Sequence, residues 1–134
     1  MPSPRYTRDI PARYRLDAAR CSACGHVALP RRTICSGCRS QDMEPVRLTR
    51  RGTVVTSTVI HVPPDEFTTE APYAMAIIET PEGARLMAQV VDCQAEEVVP
   101  GMELSLEFRR IRREGHGGIL CYGHKGVPVR RHEA

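Results

Sequence analysis

The sequence predicts a mainly β protein in which a small metal-binding ribbon precedes a closed five-stranded barrel. Four of its six cysteines form two Cys-x-x-Cys pairs, Cys21 with Cys24 and Cys35 with Cys38. From Gly52 onward, β-branched and alternating apolar segments are separated by turns rich in proline and glycine. The 134 residues suffice for one ordinary domain or two very small ones.

Composition and charge disfavour three classes of protein: membrane proteins, secreted proteins and dedicated DNA-binding proteins. Hydrophobic residues make up 41% of the chain, but no apolar run approaches the roughly 20 residues of a membrane helix. The first ten residues, MPSPRYTRDI, lack the apolar segment of a secretory signal. We therefore expect a cytoplasmic protein with reduced cysteines, which favours metal binding over disulfides. A net charge of +3 falls short of the excess typical of a dedicated DNA-binding protein.

The two cysteine pairs predict a structural zinc site. Two knuckles facing each other supply four thiolates, the tetrahedral set that Zn2+ takes in structural sites. Such a closed set has no open position for water or substrate and cannot activate a nucleophile. No helix pattern follows either pair, which disfavours a thioredoxin-like redox role, whereas iron with the same ligands remains an alternative. The predicted metal ligands are Cys21, Cys24, Cys35 and Cys38.

The segments that flank the cysteines carry weaker signals. A short helical turn is expected over Tyr6–Ile10, ended by Pro11. Weak alternation over Arg13–Ala18 predicts a strand that leads into the first knuckle. Between Cys38 and Leu48 the chain is expected to leave the ribbon.

The second part of the chain predicts an antiparallel barrel, since closure removes exposed strand edges. We expect the N-terminal segment and ribbon over residues 1–48, and the barrel with a C-terminal tail over residues 49–134. The charged, glycine-containing stretch Arg109–Gly118 is predicted as a loop. The predicted strands are Thr53–Ile60, Tyr73–Glu79, Arg85–Val91, Met102–Phe108 and Ile119–Tyr122.

These motifs, in this order, resemble the acyl-CoA-associated zinc-ribbon plus OB-fold family, long known as a domain of unknown function. The resemblance extends from about Tyr14 to Pro128, but His124 and Gly126 stand where the family often has aromatic residues. The segments that carry it are Cys21–Gly25, Pro30–Arg31, Cys35–Cys38, Gly52–Val59, Pro72–Glu79, Val99–Leu104 and Tyr122–Pro128.

The resemblance implies a rubredoxin-like zinc ribbon, an OB-fold barrel and a non-catalytic subunit of a heteromeric acyl-CoA thiolase. A thiolase-like catalytic subunit would carry the catalytic residues and make or break a carbon–carbon bond in a β-ketoacyl-CoA. The benzoylsuccinyl-CoA thiolase of toluene degradation is one such system. A coenzyme A thioester would be the substrate of the complex. Accessory subunits of acyl-CoA hydratases and aldolases are the alternative within the family.

An arginine-rich cluster is the candidate contact surface. Guanidinium groups bind phosphates through paired hydrogen bonds, so these side chains suit acyl-CoA or a partner chain. The alternatives are a solvated loop and a purely structural adaptor that never touches substrate. Arg130 and Arg131 extend the cluster. The candidate residues are Arg109, Arg110, Arg112, Arg113, Tyr122 and Lys125.

The residues present disfavour two further functions, nucleic-acid binding and catalysis. Single-stranded nucleic acid is disfavoured because an OB-fold surface for it offers aromatic platforms, and the chain has two Phe, four Tyr and no Trp. Catalysis by the chain itself needs a thiol beside an imidazole. Cys121 and His124 are three positions apart near a strand, where successive side chains point to opposite faces. No catalytic residue is therefore predicted.

Overall fold

The computed structural model describes residues 4–113, 116–117 and 120–129. Two 3-10 helices lie in the barrel connections, Ala95–Glu97 and the acidic segment, Asp65–Glu70. The helix and the ribbon strands are α1 (Pro4–Arg15), β1 (Asp17–Cys21), β2 (Val27–Ala28) and β3 (Met43–Arg47). The barrel strands are β4 (Arg51–Ile60), β5 (Tyr73–Glu79), β6 (Arg85–Val90), β7 (Glu103–Arg113) and β8 (Leu120–Pro128).

Strands β4 to β8 form a closed barrel in the order β4-β5-β6-β8-β7. All neighbouring pairs are antiparallel except β6 and β8, which run parallel where Val90 lies opposite Gly126. This order and the single parallel contact define an OB-fold barrel. The predicted fold class, a mainly β protein with a zinc ribbon and a five-stranded barrel, is confirmed.

The barrel interior is packed with apolar side chains, among which Ile78, Leu104 and Leu106 are fully buried. Gly52 on β4 lets two strands approach closely. A Cβ at this position would lie 2.8 Å from the main-chain oxygen of Glu79 and would overlap the side chain of Ile78. The core therefore depends on this glycine.

The N-terminal ribbon sheet has the order β2-β1-β3. Strand β3 pairs with β1 from Cys21 opposite Met43 to Asp17 opposite Arg47. Within the stretch between Cys38 and Leu48, where the chain was expected to leave the ribbon, β3 first returns to pair with the strand that carries the first ligand. The ribbon sheet ends at Arg47, and the first barrel strand begins four residues later, at Arg51.

The N-terminal helix is longer than the predicted turn. It continues past Pro11 to Arg15, whose Nε donates to the main-chain oxygen of Pro11 at 3.1 Å. Leu16 then adopts a positive φ of 55° and ends the helix. The predicted strand over Arg13–Ala18 is wrong up to this turn, since β1 begins only at Asp17. No helix in the described residues is long and apolar enough to cross a membrane.

Strands β7 and β8 form a long hairpin where a loop was expected. The loop prediction is wrong for residues 109–113, which continue β7, and β8 extends from Leu120 to Pro128. Charged residues remain in strand conformation here because the ladder continues across both strands, from Leu104 opposite Pro128 to Arg113 opposite Leu120. Ile119, Arg130 and Arg131 lie outside the described residues.

Candidate functional site

The four cysteines of the ribbon converge at one end of its sheet. Their Sγ atoms all lie within 4.8 Å of one another. The closest pairs join the two knuckles, with Cys21 Sγ 3.4 Å from Cys38 Sγ and Cys24 Sγ 3.5 Å from Cys35 Sγ. A tetrahedral zinc site with Zn–S bonds of about 2.3 Å separates its sulfurs by about 3.8 Å. The arrangement therefore fits a four-thiolate metal ion.

Turn geometry positions each knuckle. Gly25 follows the first pair at a positive φ of 77°, and its N–H donates to the main-chain oxygen of Cys21 at 2.8 Å. In the second knuckle, Arg39 has a φ of 62° and its N–H donates to the main-chain oxygen of Cys35 at 3.1 Å. These turns aim both thiols of each pair to the same side.

The electrostatics of the cluster favour a bound cation. Hydrogen bonds from the amides of Cys38 and Gly37 lower the pKa of Cys35 to about 6. Although the Ser40 amide lowers the pKa of Cys38, the three neighbouring thiols raise it to about 12. Because the thiolates repel one another, all four deprotonate together only when a metal ion supplies positive charge.

The candidate contact residues of the β7–β8 hairpin divide between its two faces. Arg109 lies opposite Gly123 and Arg112 lies opposite Cys121. Side chains alternate along a strand, so these two β8 positions and Lys125 share a face. Arg109 and Arg112 are three positions apart, and a β-bulge between them supplies the extra residue that keeps both on that face.

We call this side the acid-paired face, because each of its cations contacts a carboxylate. Arg109 binds Asp92 with both terminal nitrogens, at 3.1 and 2.7 Å. Nη1 of Arg112 donates to both carboxylate oxygens of Glu66, at 2.9 and 3.0 Å. The acidic segment thus lies against β7 through a charge-assisted contact.

Lys125 is the one buried cation among the described residues, with 6% of its surface exposed. Its Nζ lies 3.5 Å from Oε1 of Glu70, while Nε2 of Gln89 donates to Oε2 of the same carboxylate at 2.9 Å. Glu70 therefore joins β8 to β6 from the end of the acidic segment. A cavity of about 230 Å³ lies beside it, lined in part by Gln89, Asp92 and Cys93.

The opposite side of the hairpin is the aromatic face. Phe108 stacks on Tyr122 with ring centroids 5.4 Å apart, and Tyr14 of α1 meets Phe108 edge-on at 4.8 Å. His124 completes the group at 5.9 Å from Phe108. Phe108 and Tyr122 remain 44% and 37% exposed. Arg110 lies opposite Tyr122 at the same face and is exposed.

Sequence reasoning missed this aromatic face because it counted aromatic residues along the chain. The alternation of Leu106, Phe108 and Arg110 along β7 was the signal that could have placed Phe108 beside β8. No sequence pattern predicted that Tyr14 would join the aromatic face, because the expected helical turn ended at Pro11 and Tyr14 lies beyond it.

Two imidazoles outside the cysteine cluster are engaged in contacts with oxygen atoms of the protein. The ring of His26 contacts the Ser36 hydroxyl at 3.2 Å, and that of His124 contacts the main-chain oxygen of Tyr14 at 3.1 Å. Cys121 is buried on the acid-paired face of β8, whereas His124 lies on the opposite face of the same strand. This separation agrees with the alternation expected of a strand.

The barrel order and the cysteine cluster define the class, which is that of zinc-ribbon proteins with a C-terminal OB-fold. The chain matches "ChsH2, rubredoxin-like zinc ribbon domain" over residues 8–44 and "ChsH2, C-terminal OB-fold domain" over residues 45–109. It belongs to the ChsH2 family, and the resemblance on which the sequence interpretation relied is confirmed.

Curated relatives match along most of the chain. A "DUF35 domain-containing scaffold protein" of Methanocaldococcus jannaschii is 44% identical over 93% of this chain and 89% of its own length. A protein of the same description from Methanothermobacter thermautotrophicus is 41% identical over 92% and 94%. A "probable enoyl-CoA hydratase alpha subunit" of Thermomonospora curvata is 33% identical over 70% of this chain and 29% of its own length.

A solved structure shares the fold. The chain described as "Ltp2-ChsH2(DUF35) aldolase" superposes with a TM-score of 0.64 at 30% identity. The match covers 85% of this chain and 84% of that chain.

Proposed function

We propose that this protein is a non-catalytic subunit of an acyl-CoA enzyme complex, in which a thiolase-like catalytic partner makes or breaks a carbon–carbon bond of a β-ketoacyl-CoA. The observation that carries the proposal is the similarity, over most of the chain, to relatives described as scaffold proteins. The described residues agree with it, because His26 and His124 are engaged in structural contacts and Cys121 lies on the opposite face of β8 from His124.

The zinc ion would have a structural part in this function. Cys21, Cys24, Cys35 and Cys38 would hold it, and four thiolates leave no position for substrate. Bound zinc supplies a cross-link between the knuckles, which keeps the short strands β1 and β2 together. The residues of the ribbon would then orient α1 and the barrel for contact with the partner.

The two faces of the hairpin would have separate parts. Exposed tyrosine, phenylalanine and arginine are typical of residues that dominate binding energy at protein interfaces, so the aromatic face with Arg110 and Arg113 would contact the catalytic partner. The acid-paired face would contact the phosphate groups of the acyl-CoA at the shared interface, because Arg109, Arg112 and Lys125 present cations of the right chemistry.

A partner of the hydratase or aldolase class is the second candidate. Two comparisons favour it, because one relative is described as a hydratase subunit and the solved neighbour as an aldolase. Either partner leaves this chain non-catalytic and changes only the reaction that the complex performs.

Co-expression tests the proposal. The full chain would be produced with each candidate catalytic chain of the same genome, namely thiolase-like, hydratase-like and aldolase-like enzymes. We expect the thiolase-like chain to elute with this protein at a fixed stoichiometry, and the complex to turn over a β-ketoacyl-CoA. Stable assembly with a hydratase or aldolase alone would replace the thiolase by the second candidate. Failure to assemble with all three would reject the proposal.

A further inference from the structure

We propose that the acidic segment, Asp65–Glu70, is an internal competitor for the phosphate groups of coenzyme A. Its carboxylates occupy Arg112 and Lys125, and the segment must move away before those cations can bind a phosphate-bearing ligand. The inference rests on the proposed function for the identity of the ligand, and it adds regulation of the acid-paired face by the chain's own residues.

The acid-paired face carries three cations on one hairpin, and the acidic segment contacts two of them. Arg109, Arg112 and Lys125 lie on one face of a single hairpin, brought into line by the β-bulge in β7. A diphosphate or phosphomonoester offers several oxygens, each able to accept charge-assisted hydrogen bonds from such groups. Displacement of the acidic segment would free Arg112 and Lys125 together for a ligand with more than one phosphate, whereas Arg109 stays paired with Asp92.

The acidic segment places carboxylate oxygens where phosphate oxygens would bind. Glu66 presents both oxygens to Nη1 of Arg112, and Glu70 places Oε1 3.5 Å from Nζ of Lys125. Carboxylate and phosphate are both anionic acceptors for guanidinium and ammonium groups, so the two cannot occupy these donors at once. The segment therefore competes with any phosphate ligand by occupying the same donors.

The segment is anchored weakly enough to move. None of its residues is buried. Its attachments to the barrel include the carboxylate contacts of Glu66 and Glu70, and the hydrogen bond that Nε2 of Gln89 donates to Glu70 at 2.9 Å. A tilted ring contact joins Phe67 to Tyr73, with centroids 6.0 Å apart. Exposed or partly exposed ion pairs contribute little to stability and weaken as salt is added. Displacement thus requires the loss of few strong contacts.

The burial of Lys125 gives displacement a driving force. A lysine that is 6% exposed loses hydration, and its recorded carboxylate contact is long, at 3.5 Å. A phosphate group that reached the ammonium would bind it at hydrogen-bond distance. Binding energy from the phosphate would then offset the loss of the carboxylate contacts.

Calorimetric titration of the full, zinc-loaded chain tests the inference, with coenzyme A and inorganic pyrophosphate as probes at low ionic strength. Glu66→Gln and Glu70→Gln, singly and together, remove the competing charge and keep the side-chain shape. We expect the double variant to bind coenzyme A at least roughly fivefold more tightly than the wild type, within the usual range of coupling between sites. Tighter binding of pyrophosphate as well would place the contact at the phosphates.

Glu79→Gln is the matched control. It removes one negative charge from the same barrel, but Glu79 pairs with Arg85 at the far end of β5 and β6. Equal tightening in the control would show a general charge effect and overturn the inference, and so would unchanged affinity in the double variant. Arg112→Gln in the double-variant background is expected to abolish the gain, and a retained gain would also overturn the inference. A melting curve for each variant verifies folding.

The titration uses the isolated chain, so its result is independent of assembly. If the double variant bound coenzyme A more tightly but no catalytic chain assembled with this protein, the inference would stand and the proposed function would be rejected. If a thiolase-like chain assembled with this protein but the double variant had an unchanged affinity for coenzyme A, the proposed function would stand and the inference would be rejected.

Discussion

His124 on the last barrel strand is hydrogen-bonded to the main-chain oxygen of Tyr14 in the N-terminal helix, with Nε2 3.1 Å from the oxygen. The carbonyl can only accept, so Nε2 carries the proton and Nδ1 is the unprotonated nitrogen. Nδ1 is buried and has no hydrogen-bond partner among the described residues. One neutral imidazole thus fixes the end of the helix to the barrel.

This contact predicts a pH-dependent stability. Burial lowers the pKa of His124 below its ordinary 6.5, and the charge of Arg50 lowers it further. The hydrogen bonds to the main-chain oxygens of Tyr14 and Arg13 and the charge of Glu107 oppose this shift without cancelling it. Between the folded and unfolded pKa values the unfolded chain binds more protons, so the free energy of unfolding falls as the pH drops through that window. Chemical denaturation at about pH 7.5 and about pH 5.5 measures the loss.

His124→Gln, which keeps a donor for the helix, is expected to reduce this pH dependence. His61→Gln is the control, because His61 is exposed. Equal pH dependence in the wild type and in His124→Gln would show that His124 is not the titrating group.

Removal of one of the four cysteine ligands is expected to release the metal ion from the ribbon. Cys35→Ala leaves three thiolates, and we expect the ribbon to lose its zinc and its fixed structure because structural zinc supplies much of the folding energy of such small units. Elemental analysis by mass spectrometry gives the metal content, and circular dichroism gives the folding. Cys93→Ala removes a thiol outside the cluster and should retain the metal. Full zinc occupancy in Cys35→Ala would refute the assignment of this ligand.

Replacement of Gly52 is expected to disturb the packing between β4 and β5. An alanine methyl group would press on Glu79 and Ile78, so Gly52→Ala should lower the free energy of unfolding by roughly 1–3 kcal/mol. Gly37→Ala is the matched control, since the nearest atom to its added Cβ would be Cys35 Sγ at 3.7 Å. Urea denaturation compares the two. If both variants lost the same stability, close packing at Gly52 would not be the cause.

The aromatic face predicts a loss of partner binding. Tyr122→Ala removes an exposed ring stacked on Phe108, and we expect its dissociation constant for the catalytic partner to rise at least roughly tenfold, as for truncation of an interface hot spot. Surface plasmon resonance with the purified partner measures the constant. Met87→Ala removes an apolar side chain that is 70% exposed on β6 and serves as the control. A comparable loss in both variants would argue against this face as the interface.

The acid-paired face predicts a change in substrate affinity within the complex. Arg109→Glu and Arg112→Glu should raise the KM of the partner for its acyl-CoA, because each reversal places a negative charge beside the phosphates. Steady-state kinetics of the assembled complex gives KM and kcat separately. An unchanged KM with impaired assembly would support the purely structural adaptor instead. Arg85→Glu, at the ion pair with Glu79, is the control.

The parts of the fold that sequence predicted well are those with local signals. The spacing of the cysteines is enough to expect that Cys21 and Cys38 lie together, and the structure brings them to 3.4 Å. The predicted strand Tyr73–Glu79 has the observed bounds of β5, because apolar residues between turn signals determine it locally. The order of the two parts, a ribbon followed by a barrel, likewise follows from the positions of the cysteines and turns.

The parts that sequence could not predict depend on distant contacts. The arginines of β7 carry little strand signal, and their conformation is supported by the pairing with β8 and by Glu66, 46 residues away from Arg112. The helix passes Pro11 and packs Tyr14 on Phe108, a contact between segments whose local patterns are independent. Tertiary contacts of this kind override local propensity.

Affinity purification of the tagged full chain from the cells that produce it would show whether this protein is a subunit of an acyl-CoA enzyme. The extract is treated with nuclease, and the bound proteins are identified and quantified by mass spectrometry. We expect one thiolase-like acyl-CoA enzyme at a fixed ratio to this chain. Recovery of ribosomal or other nucleic-acid-binding proteins without an acyl-CoA enzyme would contradict it.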